Sequence, residues 1–187
     1  KTNKFEEQKN TNLNELNGWW QTITAADINQ DGKMDLIIGN IGENFYLRPD
    51  KENPVKLWLN DYDQSGTTDA FLTRTVAAEN KTKRDMPVFL KREITEQFPA
   101  LKKQNLKHSD YATKSIRELF SKELISTSTQ KVFNYCQSII AVNEGNGKFR
   151  IEPLLQAVQL SSVNAIAVTD VNGDNKPDII MGGNMFS

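Results

Sequence analysis

Three segments of the chain place oxygen-bearing side chains at the same four loop positions. They are Asp27, Asn29, Asp31 and Asp35, then Asp61, Asp63, Ser65 and Asp69, then Asp170, Asn172, Asp174 and Asp178. Positions 1, 3, 5 and 9 of a tight turn converge on one point, and hard oxygen donors so gathered suit Ca2+, which takes six to eight oxygens at roughly 2.3–2.6 Å. The backbone carbonyls of Lys33, Thr67 and Lys176 at position 7, with water or a second Asp oxygen, complete each expected shell. Gly32 and Gly66 stand at position 6, where a sharp turn asks for positive φ, and Asn175 is the best non-glycine substitute there. Without a cation, inward-facing carboxylates are expected to repel one another and raise their own pKa values. A polar turn with no metal is the competing reading of any single loop. One spacing used three times, with nine Asp side chains, favours calcium.

The elements that hold these loops read as strands. Residues 23–40 and 166–184 are copies of one pattern: an apolar segment, the acidic turn, and a second apolar segment ending in Gly and Asn. Residues 56–72 are a weaker third copy. Each predicts a β-hairpin around a polar loop. An EF-hand is excluded, because it needs flanking helices and a bidentate Glu at position 12, where this chain has Ile38, Leu72 and Met181.

Between the second and third loops the composition changes. From 81 to 131 twelve Lys or Arg stand against six Asp or Glu, so this segment carries +6 and the remainder −7, within a total of −1. Residues 92–106 and 109–124 read as helices, with Pro99 ending one turn or opening the next and Ser109-Asp110 as an N-cap. Residues 132–143 and 148–153 read as a two-strand hairpin turning at 144–147. The near-neutral total argues against an electrostatic nucleic-acid binder, and no apolar run reaches the length of a membrane span. Cys136 has no partner for an internal disulfide and reads as a small core residue; His108, in a Lys-rich stretch, reads as exposed. No nucleophile and base, and no phosphate-cradling glycine loop, stand out. A start at Lys1, with neither Met nor a hydrophobic leader, reads as a processed or truncated chain.

The form D-x-[DN]-x-[DS]-[GN]-x-x-D between strands resembles the FG-GAP or VCBS repeats of β-propellers, including integrin α-subunit heads. The longer run of Gly18-Trp19-Trp20, residues 23–44, 57–63 and 68–69, with Arg84-Asp85, residues 98–103 and Tyr111-Ala112, resembles bacterial VCBS-repeat proteins of the ASPIC/UnbV type, related to cartilage acidic protein. Ser65 and Asn175 depart from the pattern; the first lowers the charge of its loop, the second its turn preference.

The resemblance implies a mainly β fold of antiparallel propeller blades, about three of them in a partial propeller, with calcium loops between strands and a short helical insertion. The expected divisions are a flexible end at 1–17, a first blade region with two loops at 18–80, the insertion at 81–131 and a following blade region at 132–187, with the natural chain continuing beyond it. The implied function is a non-catalytic, calcium-stabilised binding module for protein or glycan partners, placed extracellularly, in the periplasm or on the bacterial outer surface, and able to self-associate through open sheet edges. The alternative is the propeller segment of a calcium-dependent polysaccharide-active enzyme. Trp19 and Trp20 offer either a sugar platform or one core ring and one covering ring.

Overall fold

The computed structural model describes residues 4, 6–77 and 82–184. Its strands are β1 (Thr22–Ala26), β2 (Asp35–Gly39), β3 (Val55–Asn60), β4 (Asp69–Ala77), β5 (Lys83–Pro87), β6 (Thr129–Phe133), β7 (Ile139–Gly145), β8 (Lys148–Pro153), β9 (Ser162–Thr169) and β10 (Asp178–Asn184). Five short helices, α1 (Lys91–Gln97), α2 (Pro99–Gln104), α3 (His108–Ala112), α4 (Ile116–Leu119) and α5 (Lys122–Thr127), lie between β5 and β6. The chain divides into two compact units, Lys1–Arg48 with Tyr135–Ser187, and Pro49–Asn134.

In the first unit an antiparallel sheet has the order β1-β2-β7-β8, and β9 pairs with β10 in a hairpin of its own. Ile37 and Ile38 of β2 stand opposite Ile140 and Ile139 of β7, so the sheet's centre is a block of branched side chains, which favour a pleated, half-buried surface. β9 packs on β1 and β2. That approach needs Gly39, where an added Cβ would lie 2.3 Å from the Val163 carbonyl oxygen.

In the second unit the order is β5-β4-β3-β6, all antiparallel. Phe71, Thr73 and Thr75 of β4 alternate inward, as a period of two requires. Trp58 and Phe71, directly paired across β3 and β4, begin an apolar core that the helices complete with Ile94, Leu101, Tyr111, Ile116, Leu119 and Ile125. Trp58 Nε1 donates to Thr73 Oγ1 at 2.9 Å, which satisfies the one polar atom of a fully buried ring.

The helical segment is more broken than its sequence predicts. Pro99 opens α2 as expected, but α3 begins at His108 after Lys107, not at a Ser109-Asp110 cap. The cause is local: Asp110, at the third helical position, accepts the Lys107 N–H at 3.2 Å. Glu93 and Glu118 start α1 and α4 in the same way, accepting the N–H of Leu90 and Ser115. Acids at the third position satisfy a free helix-start donor and suit the helix dipole.

Glu118 gives a pH prediction. The Ser115 hydroxyl and N–H both donate to its Oε2, Arg84 pairs with the same oxygen, and these contacts hold its carboxyl down at about 2. A depressed folded-state pKa contributes stability above the ordinary value of 4.5, and that contribution is lost as pH falls through about 2. With 51% of the side chain in solvent, the contribution is about 1 kcal/mol after screening. Urea titrations of Glu118→Gln and the parent chain should therefore differ by about 1 kcal/mol near pH 7 and converge near pH 2.

Two further strand expectations are corrected. Residues 132–143 do not form one strand: β6 ends at Phe133 and belongs to the β3 sheet, whereas β7 begins at Ile139 and pairs with β8. The break follows from where the intervening polar groups go. The Ser138 N–H donates to Gln159 Oε1, and its Oγ accepts the Asn40 N–H, so neither is free for a strand partner. β5 lies inside the segment read as helical; Asp85 pins it there, accepting from Lys56 Nζ on β3 at 2.8 Å and from Thr75 Oγ1 on β4 at 3.0 Å.

Candidate metal-binding loops

Each acidic segment closes a hairpin: β1 to β2, β3 to β4 and β9 to β10. Position 9, Asp35, Asp69 or Asp178, is the first residue of the second strand in each. Its carboxylate reaches back across the loop to accept the N–H at position 2, from Ile28 at 3.1 Å, Tyr62 at 2.9 Å and Val171 at 3.0 Å. Position 1 accepts two backbone donors in the first two loops and three in the third. Asp27 takes the N–H of Asp31 and Gly32, Asp61 that of Ser65 and Gly66, and Asp170 that of Gly173, Asp174 and Asn175. Position 3 caps position 5 in all three, from Asn29, Asp63 and Asn172 at 2.9–3.0 Å.

The three loops thus share one backbone. Position 6 has positive φ in each, at Gly32, Gly66 and Asn175, as the residue types require. Position 4 also has positive φ, at Gln30 (58°), Gln64 (59°) and Gly173 (78°). Sequence reasoning missed this second left-handed position, and only Gly173 signalled it. Glutamine is strained there. Gln64 is exposed and carries no position-fixing bond, whereas Gln30 donates to the Asn175 carbonyl at 2.7 Å and so ties the first loop to the third. Gln64→Gly is expected to raise stability by about 0.5–1 kcal/mol, read as a higher denaturant midpoint, while Gln64→Ala should give no gain.

At three of these residues hydrogen bonds run against one electrostatic expectation. The carboxyls of Asp31, Asp63 and Asp170 lie below the ordinary range, not above it. The leading causes are the Lys33 N–H for Asp31, the Ser65 side chain for Asp63 and the Asn175 N–H for Asp170. Hydrogen bonds to the charged form outweigh the cost of desolvation.

The loops differ in how closely their carboxylates meet. Among the described residues, Asp61, Asp63 and Asp69 bring one carboxylate oxygen each within 4.8 Å of one another, a spacing that can hold a metal ion. Ser65, expected to weaken this loop, donates within it, and its Oγ lies 2.8 Å from Thr67 Oγ1. Each loop carries three aspartates: the first and third have Asn29 and Asn172 where the second has Asp63, and Asp31 and Asp174 where it has Ser65. The donor set fits a hard cation. An ionised carboxylate has about four acceptor sites, so one amide bond per oxygen leaves lone pairs for a metal.

Asp35 stands apart. It is fully buried, and its second oxygen accepts the Asn143 N–H of β7 at 2.7 Å. The closing residue of the first loop therefore also fastens the sheet. No local signal in the sequence marks this contact, which spans 108 positions.

Other expected residues lie away from these loops. Cys136 is buried and His108 is exposed at the start of α3. Trp19 is half-buried; Trp20 is 37% exposed, with its ring 6.1 Å from that of Tyr135, so neither is a core ring. No helix among the described residues is long and apolar enough to cross a membrane.

Residues 19–53, which contain β1, the first loop and β2, match the family model of the FG-GAP repeat. Searches of curated proteins and of solved structures return no match to this chain.

Proposed function

We propose that the chain is a calcium-stabilised, non-catalytic binding module of FG-GAP type that works outside the cell on protein or glycan partners. The observation that carries this reading is the convergence of Asp61, Asp63 and Asp69 in a loop whose backbone recurs twice elsewhere in the chain, one copy lying within the FG-GAP match. The residues that would hold the ion are Asp61, Asp63, Ser65 and Asp69 with the Thr67 carbonyl. Their counterparts are Asp27, Asn29, Asp31, Asp35 and Lys33, and Asp170, Asn172, Asp174, Asp178 and Lys176. Bound calcium would neutralise the gathered carboxylates and cross-link each hairpin end. The chain's own part is to preform the loops. Backbone donors at positions 2, 5 and 6 fix the carboxylates before any ion arrives, so little ordering cost falls on binding. Stiffened hairpin ends would then present a fixed surface to a partner.

The test is thermal unfolding in chelator and in about 1 mM calcium, a level suited to extracellular sites. A ligand that binds only the folded state at 100 times its Kd adds about 2.7 kcal/mol, a rise of several degrees in Tm. Asp63→Asn keeps the acceptor for the Ser65 N–H but removes a charge, and should lose part of that rise with an unchanged Tm in chelator. No calcium-dependent shift in the parent chain, together with no heat in a calcium titration, would overturn the proposal.

A further inference from the structure

The two copies of the repeat in the first unit pack on each other in a way that leaves an exposed apolar surface on the second face of each. Aligned by their acidic loops, Ile23, Ala25, Leu36 and Ile38 correspond to Ile166, Val168, Ile179 and Met181, while Thr24, Ile37 and Gly39 correspond to Ala167, Ile180 and Gly182. β-strand side chains alternate between faces, so each set of residues forms one face of its hairpin. In the β1–β2 hairpin the Thr24, Ile37, Gly39 face is the covered one: Ile37 and Gly39 are buried, and Thr24 Oγ1 donates to the Ile166 carbonyl of β9 at 3.1 Å. In the β9–β10 hairpin it is the other face, Ile166, Val168, Ile179 and Met181, that is half-buried. Unlike faces therefore meet, the Ile166, Val168, Ile179, Met181 face of β9–β10 lying on the Thr24, Ile37, Gly39 face of β1–β2.

What remains exposed is the second face of β9–β10 and, on β1–β2, the Ile23 and Ala25 part of the other face, whose Ile38 is itself buried. On β9–β10, Ala165, Ala167 and Gly182 are exposed around Ile180, which is 50% exposed although its counterpart Ile37 is wholly buried. On β1–β2, Ile23 is 60% exposed at the side of an apolar groove of about 340 Å3, lined also by Leu13, Leu16, Trp20, Ile38 and Ile139. These are the same two surface types that already pack together inside the molecule.

We infer that the Ile180 face of β9–β10 in one copy of this chain docks onto the Ile23 groove of β1–β2 in a second copy, repeating between molecules the hairpin stacking seen within one. The occupant follows from the internal interface, whose geometry and residue types the two open faces reproduce. Contacts between unlike patches are head-to-tail, so the assembly either closes into a ring or extends. The inference uses faces and not the open strand edges, and it does not depend on calcium.

The experiment is sedimentation velocity of the full chain, from low concentration up to about 100 µM, where even a weak interface begins to fill. Wild type should associate progressively, equally in chelator and in calcium. Ile23→Lys and Ile180→Lys, both at exposed positions, should each sediment as a monomer. Mixed one to one, they should form a dimer and nothing larger, because each keeps the face the other has lost; that dimer also shows that both variants are folded. A wild type that stays monomeric throughout, single variants that associate as wild type does, or a mixture that stays monomeric would overturn the inference.

Discussion

Phe71→Ala is expected to destabilise the second unit by about 4 kcal/mol, the range found when a large ring is removed from a packed core. Phe71 is fully buried, and its ring lies 5.3 Å from Phe120, 6.1 Å from Phe98 and 6.3 Å from Tyr62. The aromatic group therefore joins β4 to the helices. Tyr62 makes the consequence functional. It follows Asp61, is 6% exposed, and its hydroxyl lies 2.8 Å from Ser128 Oγ, so position 2 of the second acidic loop is anchored in the same cluster. Its hydroxyl pKa is raised by burial, as befits a ring in the core. Phe71→Ala should thus loosen the loop that brings Asp61, Asp63 and Asp69 together. Denaturant unfolding followed by near-ultraviolet circular dichroism checks the first effect, and a calcium titration of the variant checks the second. A loss of less than about 1.5 kcal/mol would show that the cluster relaxes around the gap and does not act as a rigid anchor.

The parts of this architecture legible in the sequence are those whose causes are local. Hairpins around the acidic loops follow from short apolar runs on either side of a turn, and position 6 follows from Gly32, Gly66 and Asn175. The second left-handed position was hidden because Gln30 and Gln64 give no sign of it; amide bonds from positions 5 and 6 to the first aspartate hold the backbone there against the residue's own preference. Sheet partnership was hidden for a different reason. The strand beside β2 is β7, which returns only after the whole of the second unit, so residues 18–80 supply strands to two separate sheets. Nothing in a window of ten or twenty residues records such a return. The run at 132–143 looks continuous for the same reason, since its two halves answer to different distant partners. In the helical segment, apolar spacing indicated helix but not where each piece begins, because Glu93, Asp110 and Glu118 set the starts by reaching back to a backbone donor three residues earlier.

Asp35 is where the local and the distant causes meet, and its replacement separates loop from sheet. In chelator, Asp35→Ala is expected to cost about 3 kcal/mol, because it strands two backbone donors, one of each kind, at a fully buried position. The Ile28 N–H belongs to the loop and the Asn143 N–H to β7. Asp178→Ala removes the equivalent group of the third loop, but among the described residues that carboxylate accepts one N–H, that of Val171, and the residue is half-buried, so the expected cost is about 1 kcal/mol. Asp35→Asn should fall between them: its one remaining oxygen can serve either donor, while its amide must face the other. With metal withheld, the difference between Asp35→Ala and Asp178→Ala isolates the Asn143 contact. Equal costs for the two alanine variants would mean that the β7 bond adds nothing to stability, and that Asp35 is conformationally no different from its counterparts. A large excess for Asp35 would show that the loop within the FG-GAP match is built into the sheet with no ion present, so that the proposed calcium would meet a hairpin end already held in place from behind.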